Sequence, residues 1–280
     1  MTLTEISRRT FVGTLPVVGF GLGPGAATAA AATLEGTQDS PGSAIHDSFP
    51  SQHPDLVREM VAVSHGNLER VKELVEAHPA LAKASWDWGF GDHETALGAA
   101  SHVGSREIAL YLIEHGAAPT IFSATMLGQL DVVRALVESF KSLGGIEVQR
   151  LPGPHGIPLL VHAEMGGEEA KHVLDYLTSL GGANERPTAV ALSDEDRAKL
   201  AGTYSFGEDE NDRFLVTDER GNLWLKRGEK GGARGLTHRG NFEFSPAGAP
   251  AVRIRFDVDG SEVSRLRVVD GEFILAAVRN

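Results

Sequence analysis

The sequence predicts an α+β, multidomain chain: an α-solenoid of about four helical hairpins followed by a small antiparallel β-barrel or sandwich. Three observations predict it. Glycine recurs at Gly66, Gly104, Gly128 and Gly166, each time between two stretches whose apolar residues follow helical spacing. Recurrence at intervals of a few tens of residues marks stacked units that touch only their neighbours. After Arg186-Pro187 the apolar period changes from helical to two, which marks strands.

The chain opens on Ser7-Arg8-Arg9-Thr10-Phe11-Val12, a mildly apolar Gly-rich run to Leu22, and the small residues Ala27 to Ala32. This resembles a bacterial twin-arginine signal, with Gly13 standing where the usual lysine would be. The resemblance implies export to the periplasm or beyond, with cleavage within Ala29 to Ala32. A membrane anchor is the alternative, but the run is well under the ~20 apolar residues a span needs, and Pro16 and several glycines break it. No membrane span is expected after cleavage. Residues 1–32 are therefore assigned to the signal and residues 33–50, a mixture of Gly, Ser, Asp and Pro without periodicity, to a disordered linker.

Residues 51–187 carry the repeats. The segments Ala62 to Gly66, Ala100 to Gly104, Ala124 to Gly128 and His162 to Gly166 each end the first helix of a hairpin. Behind them come amphipathic second helices on Val71, Leu74 and Val75; Ile108, Leu112 and Ile113; Val132, Val133, Leu136 and Val137; and Val173, Leu174 and Leu177. Thr95-Ala96-Leu97 with Ala100, Gly104, Ile108, Leu112, Ile113, Gly116 and Ala117 resembles the ankyrin repeat, and Ile157-Pro158-Leu159 with Ala163 and Gly166 resembles it in part. The motif histidine is replaced by Gly98 and Leu160, so the hydrogen bonds it gives to neighbouring turns must be lost or supplied otherwise.

The glycines fall 38, 24 and 38 residues apart, where a regular array gives ~33. A shift of 62 residues lays Gly66 on Gly128, Gly91 on Gly153, His93 on His155 and Gly104 on Gly166, which reads as a two-repeat duplication. Its long connections, about Ala77 to Glu94 and Ser139 to Gly156, are expected to project as two fingers from one edge, with a cleft between them.

The first finger holds Trp86-Asp87-Trp88-Gly89-Phe90-Gly91-Asp92-His93-Glu94, and the second Pro152-Gly153-Pro154-His155-Gly156. Rings beside carboxylates suit a sugar or peptide ligand, since rings cover apolar faces and acids accept hydroxyl or amide hydrogens; the alternative is rings that merely fill a finger too small for its own core. Trp86, Asp87, Trp88, His102, His162 and Glu164 are the candidate ligand-binding residues. For an enzyme, Asp92 and Glu94 would be acid or base, with His93 and His155 positioning groups or transferring protons. The same groups could hold a divalent metal through nitrogen and oxygen, but their spacing carries no zinc signature, so neither metal nor cofactor is expected. His162 stands where an alanine normally packs and also reads as a core histidine with one hydrogen bond.

Residues 188–280 form the β domain. Eight short strands are predicted near 200–204, 213–217, 223–226, 235–238, 241–244, 252–257, 262–268 and 272–278, after a short helix over 193–197. Leu200-Ala201-Gly202-Thr203-Tyr204 resembles the opening of the lipocalin-like accessory domain that follows exported serine hydrolases of the β-lactamase type; it carries no catalytic residues. As a cap on the solenoid, such a domain would place Phe206, Trp224, Phe242 and Phe256 in its core.

A formal net charge of -12 without a basic stripe disfavours nucleic acid and anionic membrane. The absence of cysteine excludes disulfides, a thiolate metal site and a cysteine nucleophile. There is no Gly-x-Ser-x-Gly turn and no His-Glu-x-x-His. The expectation is an exported ankyrin-repeat interaction protein whose cleft holds a protein or peptide partner, or a small polar ligand. The alternative is a periplasmic enzyme using acid–base chemistry on a small polar substrate such as a glycoside.

Overall fold

In a computed structural model, residues 49–186, 188–228 and 232–280 are described, all within one compact unit. The predicted signal segment and, apart from Phe49 and Pro50, the predicted linker lie outside the described residues.

Side chains cap the starts of several of the helices. Pro54 opens α1 (Pro54–Val63), where its missing N–H costs nothing. Asn67 caps α2 (Leu68–Ala77) by accepting from Arg70 N at 3.1 Å. Next comes a short hairpin of β1 (Ser85–Asp87) and β2 (His93–Thr95). Thr95 accepts from Gly98 N at 2.9 Å and so starts α3 (Ala96–His102), which α4 (Arg106–Glu114) follows. At Gly98 the hydroxyl of Thr95 thus provides local order where the repeat motif would place a histidine.

Thr120 and Ser123 form a reciprocal capping box at α5 (Ile121–Met126). The following α6 (Leu130–Gly144) ends at Gly145, whose φ of 70° is left-handed. Ser139 to Gly144, expected in the second finger, is helical, because no breaker interrupts the run before Gly144-Gly145. The second finger starts at Gly145 and contains two single 3₁₀ turns, Val148–Arg150 and Pro154–Gly156. Beyond it lie α7 (Leu159–Met165) and α8 (Lys171–Leu180).

The helices pack in consecutive pairs, and α1 touches α3, α3 touches α5, and α5 touches α7. Alanines 99, 100 and 109 are fully buried, so backbones approach closely. One apolar core joins Met60, Val71, Leu74, Leu97 and Leu112; a second joins Val133, Val137, Leu159, Val173 and Leu177. Turns also bond to turns: Ser105 Oγ donates to His65 O (3.4 Å), Arg106 Nη1 to Leu127 O (3.3 Å), and His172 Nε2 to Gly128 O (2.7 Å).

After α9 (Asp194–Leu200) come β3 (Gly202–Ser205), β4 (Arg213–Glu219), β5 (Asn222–Arg227), β6 (Arg234–Gly240), β7 (Glu243–Pro246), β8 (Arg253–Asp259), β9 (Glu262–Asp270) and β10 (Phe273–Arg279). They form a closed antiparallel barrel in sequence order, and β10 pairs with β3 to close it. Of the two predicted forms, barrel and sandwich, the chain takes the barrel. Arg220 and Gly221, both with positive φ, make the two-residue β4–β5 turn that matches strand twist.

Side chains fill the barrel interior. Tyr204, Phe214, Phe244, Phe256, Ile254 and Leu266 are buried there. Phe206 and Phe242 are half-buried against that core. Trp224 departs from the expected core position, because alternation along β5 sends Leu223 and Leu225 inward and Trp224 outward, over its cross-strand partner Gly235.

Candidate functional site

Strand alternation decides which groups of the first finger can work together. In β2 the side chains of His93 and Thr95 point outward while Glu94, between them, is fully buried. Asp92, two residues from Glu94, is likewise buried. The hairpin is tightened by Trp88 N donating to Asp92 O at 3.0 Å and Gly89 N to Asp87 Oδ1 at 2.8 Å. Phe90 holds a φ of 60°, between two glycines that are also left-handed.

Three histidines converge on the Glu94 carboxylate. His102, at the last turn of α3, brings Nε2 to 2.8 Å from Oε1. His65, just past α1, places Nε2 at 3.7 Å from the same oxygen. His155, from the second finger, lies with Nε2 at 3.2 Å from Oε2, which also accepts from Trp88 Nε1 at 2.8 Å. Burial alone would raise the Glu94 carboxyl, but the hydrogen bonds from His102 and His155 and the charges of His155 and His65 hold it down at about 2.

A second carboxylate supports His155 from behind. Asp92 Oδ2 lies 2.7 Å from His155 Nδ1, and Oδ1 accepts from His155 N at 2.8 Å. His155 adopts a φ of 59°, which aims both its amide and its ring at Asp92. Burial works to lower the His155 pKa, but Asp92 and Glu94 outweigh it and push it up to about 9. For Asp92, burial opposes ionisation, yet the His155 hydrogen bonds and then the Arg234 charge hold the carboxyl below its ordinary range.

The barrel completes the site. Arg234, at the start of β6, donates from Nη1 to Asp92 Oδ2 at 2.6 Å and from Nε to Trp88 O at 3.2 Å. Gly248, in the turn after β7, comes so close that a Cβ there would meet Asp92 Cγ at 2.3 Å. Beside His155 opens a cleft of about 590 Å³, walled by Arg150, Glu185 and Arg186 on one side and Thr237 and Ser245 of the barrel on the other.

Of the sequence-predicted acid–base residues, Asp92, Glu94 and His155 come together and His93 does not. Its ring is 66% exposed and 4.0 Å from Asp87 Oδ2, because adjacent strand residues face opposite ways. Among the predicted ligand-binding residues, Trp88 and His102 join the cluster. Trp86 packs against the first helical core instead, and Asp87 and Glu164 are exposed away from it. His162 is fully buried behind His102, with ring centroids 6.4 Å apart. Its Nδ1 is 2.8 Å from Ser101 Oγ and its Nε2 has no partner among the described residues. Burial drives its pKa down to about 3, so it is a neutral core histidine.

Two members, His65 and Arg234, escaped the sequence reading. His65 carried a signal: before the repeat glycines stand Val103, Leu127 and Met165 at the equivalent positions, and His65 alone is polar. Arg234 carried none, since nothing local ties a strand arginine to a loop 142 residues away. Comparisons with protein-family models, with curated proteins and with solved structures gave no match.

Proposed function

We propose that the protein is an exported ankyrin-repeat binding protein that takes a small polar ligand at the histidine–carboxylate cluster and the cleft beside it. The observation that supports this reading is the burial of Glu94, Asp92 and Arg234 together with three histidines around one carboxylate. Burying several charges costs folding free energy that apolar residues would not, and such departures from a packed core gather at functional sites. A stack of helix pairs has no structural need of them. The pairs themselves, each with a turn at a recurring glycine, support the ankyrin-like reading, and the barrel acts as an accessory domain that buttresses the cluster through Arg234.

A protein or peptide partner gripped between the fingers has less support. Asp92 of the first finger and His155 of the second are joined by two hydrogen bonds, where a peptide would need them apart. The enzyme reading keeps one specific support: His155 belongs both to the cluster and to the wall of the cleft, the place for a group that exchanges a proton with a bound substrate. Release of nitrophenol from an aryl glycoside, abolished in His155→Ala, would mark turnover.

Trp88 supplies the readout for binding. Its indole bonds Glu94, so a ligand that reaches the cluster changes its emission. A panel of methyl glycosides, small dicarboxylates and dipeptides is expected to contain members that change tryptophan fluorescence saturably. That response should disappear in Trp88→Phe and in His155→Ala and persist in His93→Ala. A panel without effect up to millimolar concentration, or a response that survives His155→Ala, sinks the reading.

Export is tested separately. Replacing Arg8 and Arg9 together by lysine is expected to leave the full-length chain in the cytoplasm, whereas the wild type is recovered shortened in the periplasm. Equal processing of both chains would remove the twin-arginine route.

A further inference from the structure

We propose that His65, Glu94, His102 and His155 bind a divalent first-row transition-metal ion, of the kind that zinc represents. The inference rests on taking the cluster as the functional centre, and it names what that centre holds. One ligand atom from each of the four residues lies within 4.8 Å of every other. The carboxylate oxygens stand 2.8, 3.2 and 3.7 Å from the three imidazole nitrogens. A tetrahedral ion with arms of about 2.0–2.1 Å sets its donors roughly 3.3 Å apart; the nitrogen–oxygen spacings, two to Oε1 and one to Oε2, scatter about that value, and donor pairs near the 4.8 Å limit would have to draw together on binding.

Tautomers point the same way. His65 Nδ1 lies 3.0 Å from Ala62 O, which can only accept, so the proton sits on Nδ1. His155 Nδ1 lies 2.7 Å from Asp92 Oδ2, which can only accept, and 3.1 Å from Arg234 Nη1, which can only donate; the shorter contact puts the proton on Nδ1. Both rings therefore turn Nε2 toward Glu94. A neutral imidazole in that pose aims a lone pair at a carboxylate, an arrangement that calls for a cation between them. Protons can serve, and a metal ion replaces them in the same donor geometry.

The surroundings have the composition expected around a metal centre. A carbonyl holds one histidine, a carboxylate holds another, and the Trp88 indole fixes Glu94 Oε2, leaving Oε1 facing His65 and His102. Three nitrogens and one carboxylate, with no thiolate in the chain, suit zinc, iron, manganese or cobalt over calcium or magnesium. Access exists, since the His65 and His155 side chains are 33% and 25% exposed.

The test uses the full chain after dialysis against a chelator, titrated with Co²⁺ and Zn²⁺ alone. One equivalent should bind, with visible Co²⁺ bands of four- or five-coordination and a rise in melting temperature. His65→Ala and His102→Ala should each weaken binding by about 100-fold or more, Asp92→Asn by about 10–100-fold, and His93→Ala not at all. His65 sits at an exposed helix end, so its variant should keep the wild-type far-UV circular dichroism and report on binding even where the others fold poorly. No saturable binding by the folded chain, or binding unchanged in His65→Ala, overturns the proposal. The fluorescence panel on the chelator-treated chain separates the two ideas: a response without metal leaves the polar-ligand reading standing when the metal fails, and metal binding without any ligand response does the reverse.

Discussion

Replacing Arg234 by alanine is expected to destabilise the protein by about 3–5 kcal/mol, toward the lower end because Asp92 keeps its bonds from His155. The side chain is buried, and its removal leaves a carboxylate that is 3% exposed without its guanidinium partner. Trp88 O loses the donation from Nε at the same time. For a chain of this size the loss corresponds to a fall in melting temperature of roughly 6–20 °C. Denaturant unfolding measures it directly. Arg234→Met combined with Asp92→Asn should recover a large part of the loss, since removing both charges removes the uncompensated one. A loss under about 1 kcal/mol for Arg234→Ala would mean that water reaches Asp92, and the barrel would then not be sealing the site.

This arginine also shows where the sequence stops being informative. The eight strands were legible because alternation and turn chemistry are local: Leu223 and Leu225 with Arg220-Gly221 before them leave few alternatives. The helix pairs were legible for the same reason, through Val71, Leu74 and Val75 or Ile108 and Leu112 at helical spacing. In the site, the pairing of the two fingers was half visible. The 62-residue shift set His155 against His93, whereas the residue bonded to His155 is Asp92, one position earlier. That single step is the period of two: Asp92 and Glu94 share a side and His93 faces the other way. That His102 meets Glu94 follows from the fold: Thr95, the residue after Glu94, caps the helix whose last turn carries His102. What the barrel contributes could not be placed, because contact between β6 and the first finger depends on how the helix pairs and the barrel pack together, and no periodicity encodes that. The barrel thereby contributes a buried side chain, Arg234, to the cluster.

The repeat glycines give the second large effect, and the space around them divides them: a Cβ has room at Gly66 but would meet backbone within 2.3 Å at Gly104, Gly128 and Gly166. Gly128→Ala is expected to cost about 3–4 kcal/mol, measured by urea unfolding. Its φ of 76° is left-handed, which disfavours a Cβ by about 1–2 kcal/mol. A Cβ there would also stand 2.2 Å from Glu169 O, a backbone atom that cannot rotate away. The turn between α7 and α8 would have to retreat, loosening the bond from His172 Nε2 to Gly128 O that ties one turn to the next. Gly66 occupies the same place in its repeat but has no left-handed φ, and a Cβ added to it would meet nothing within 4 Å. Gly66→Ala should therefore be neutral or stabilise by about 0.4–1 kcal/mol, through the smaller entropy of the unfolded chain. The contrast is the sharper test, because both changes add the same methyl to the same kind of turn. If the two variants unfold at the same urea concentration, the turns of successive helix pairs do not lie against one another, and the stack that carries His65, His102 and His155 to a common point is not the native arrangement.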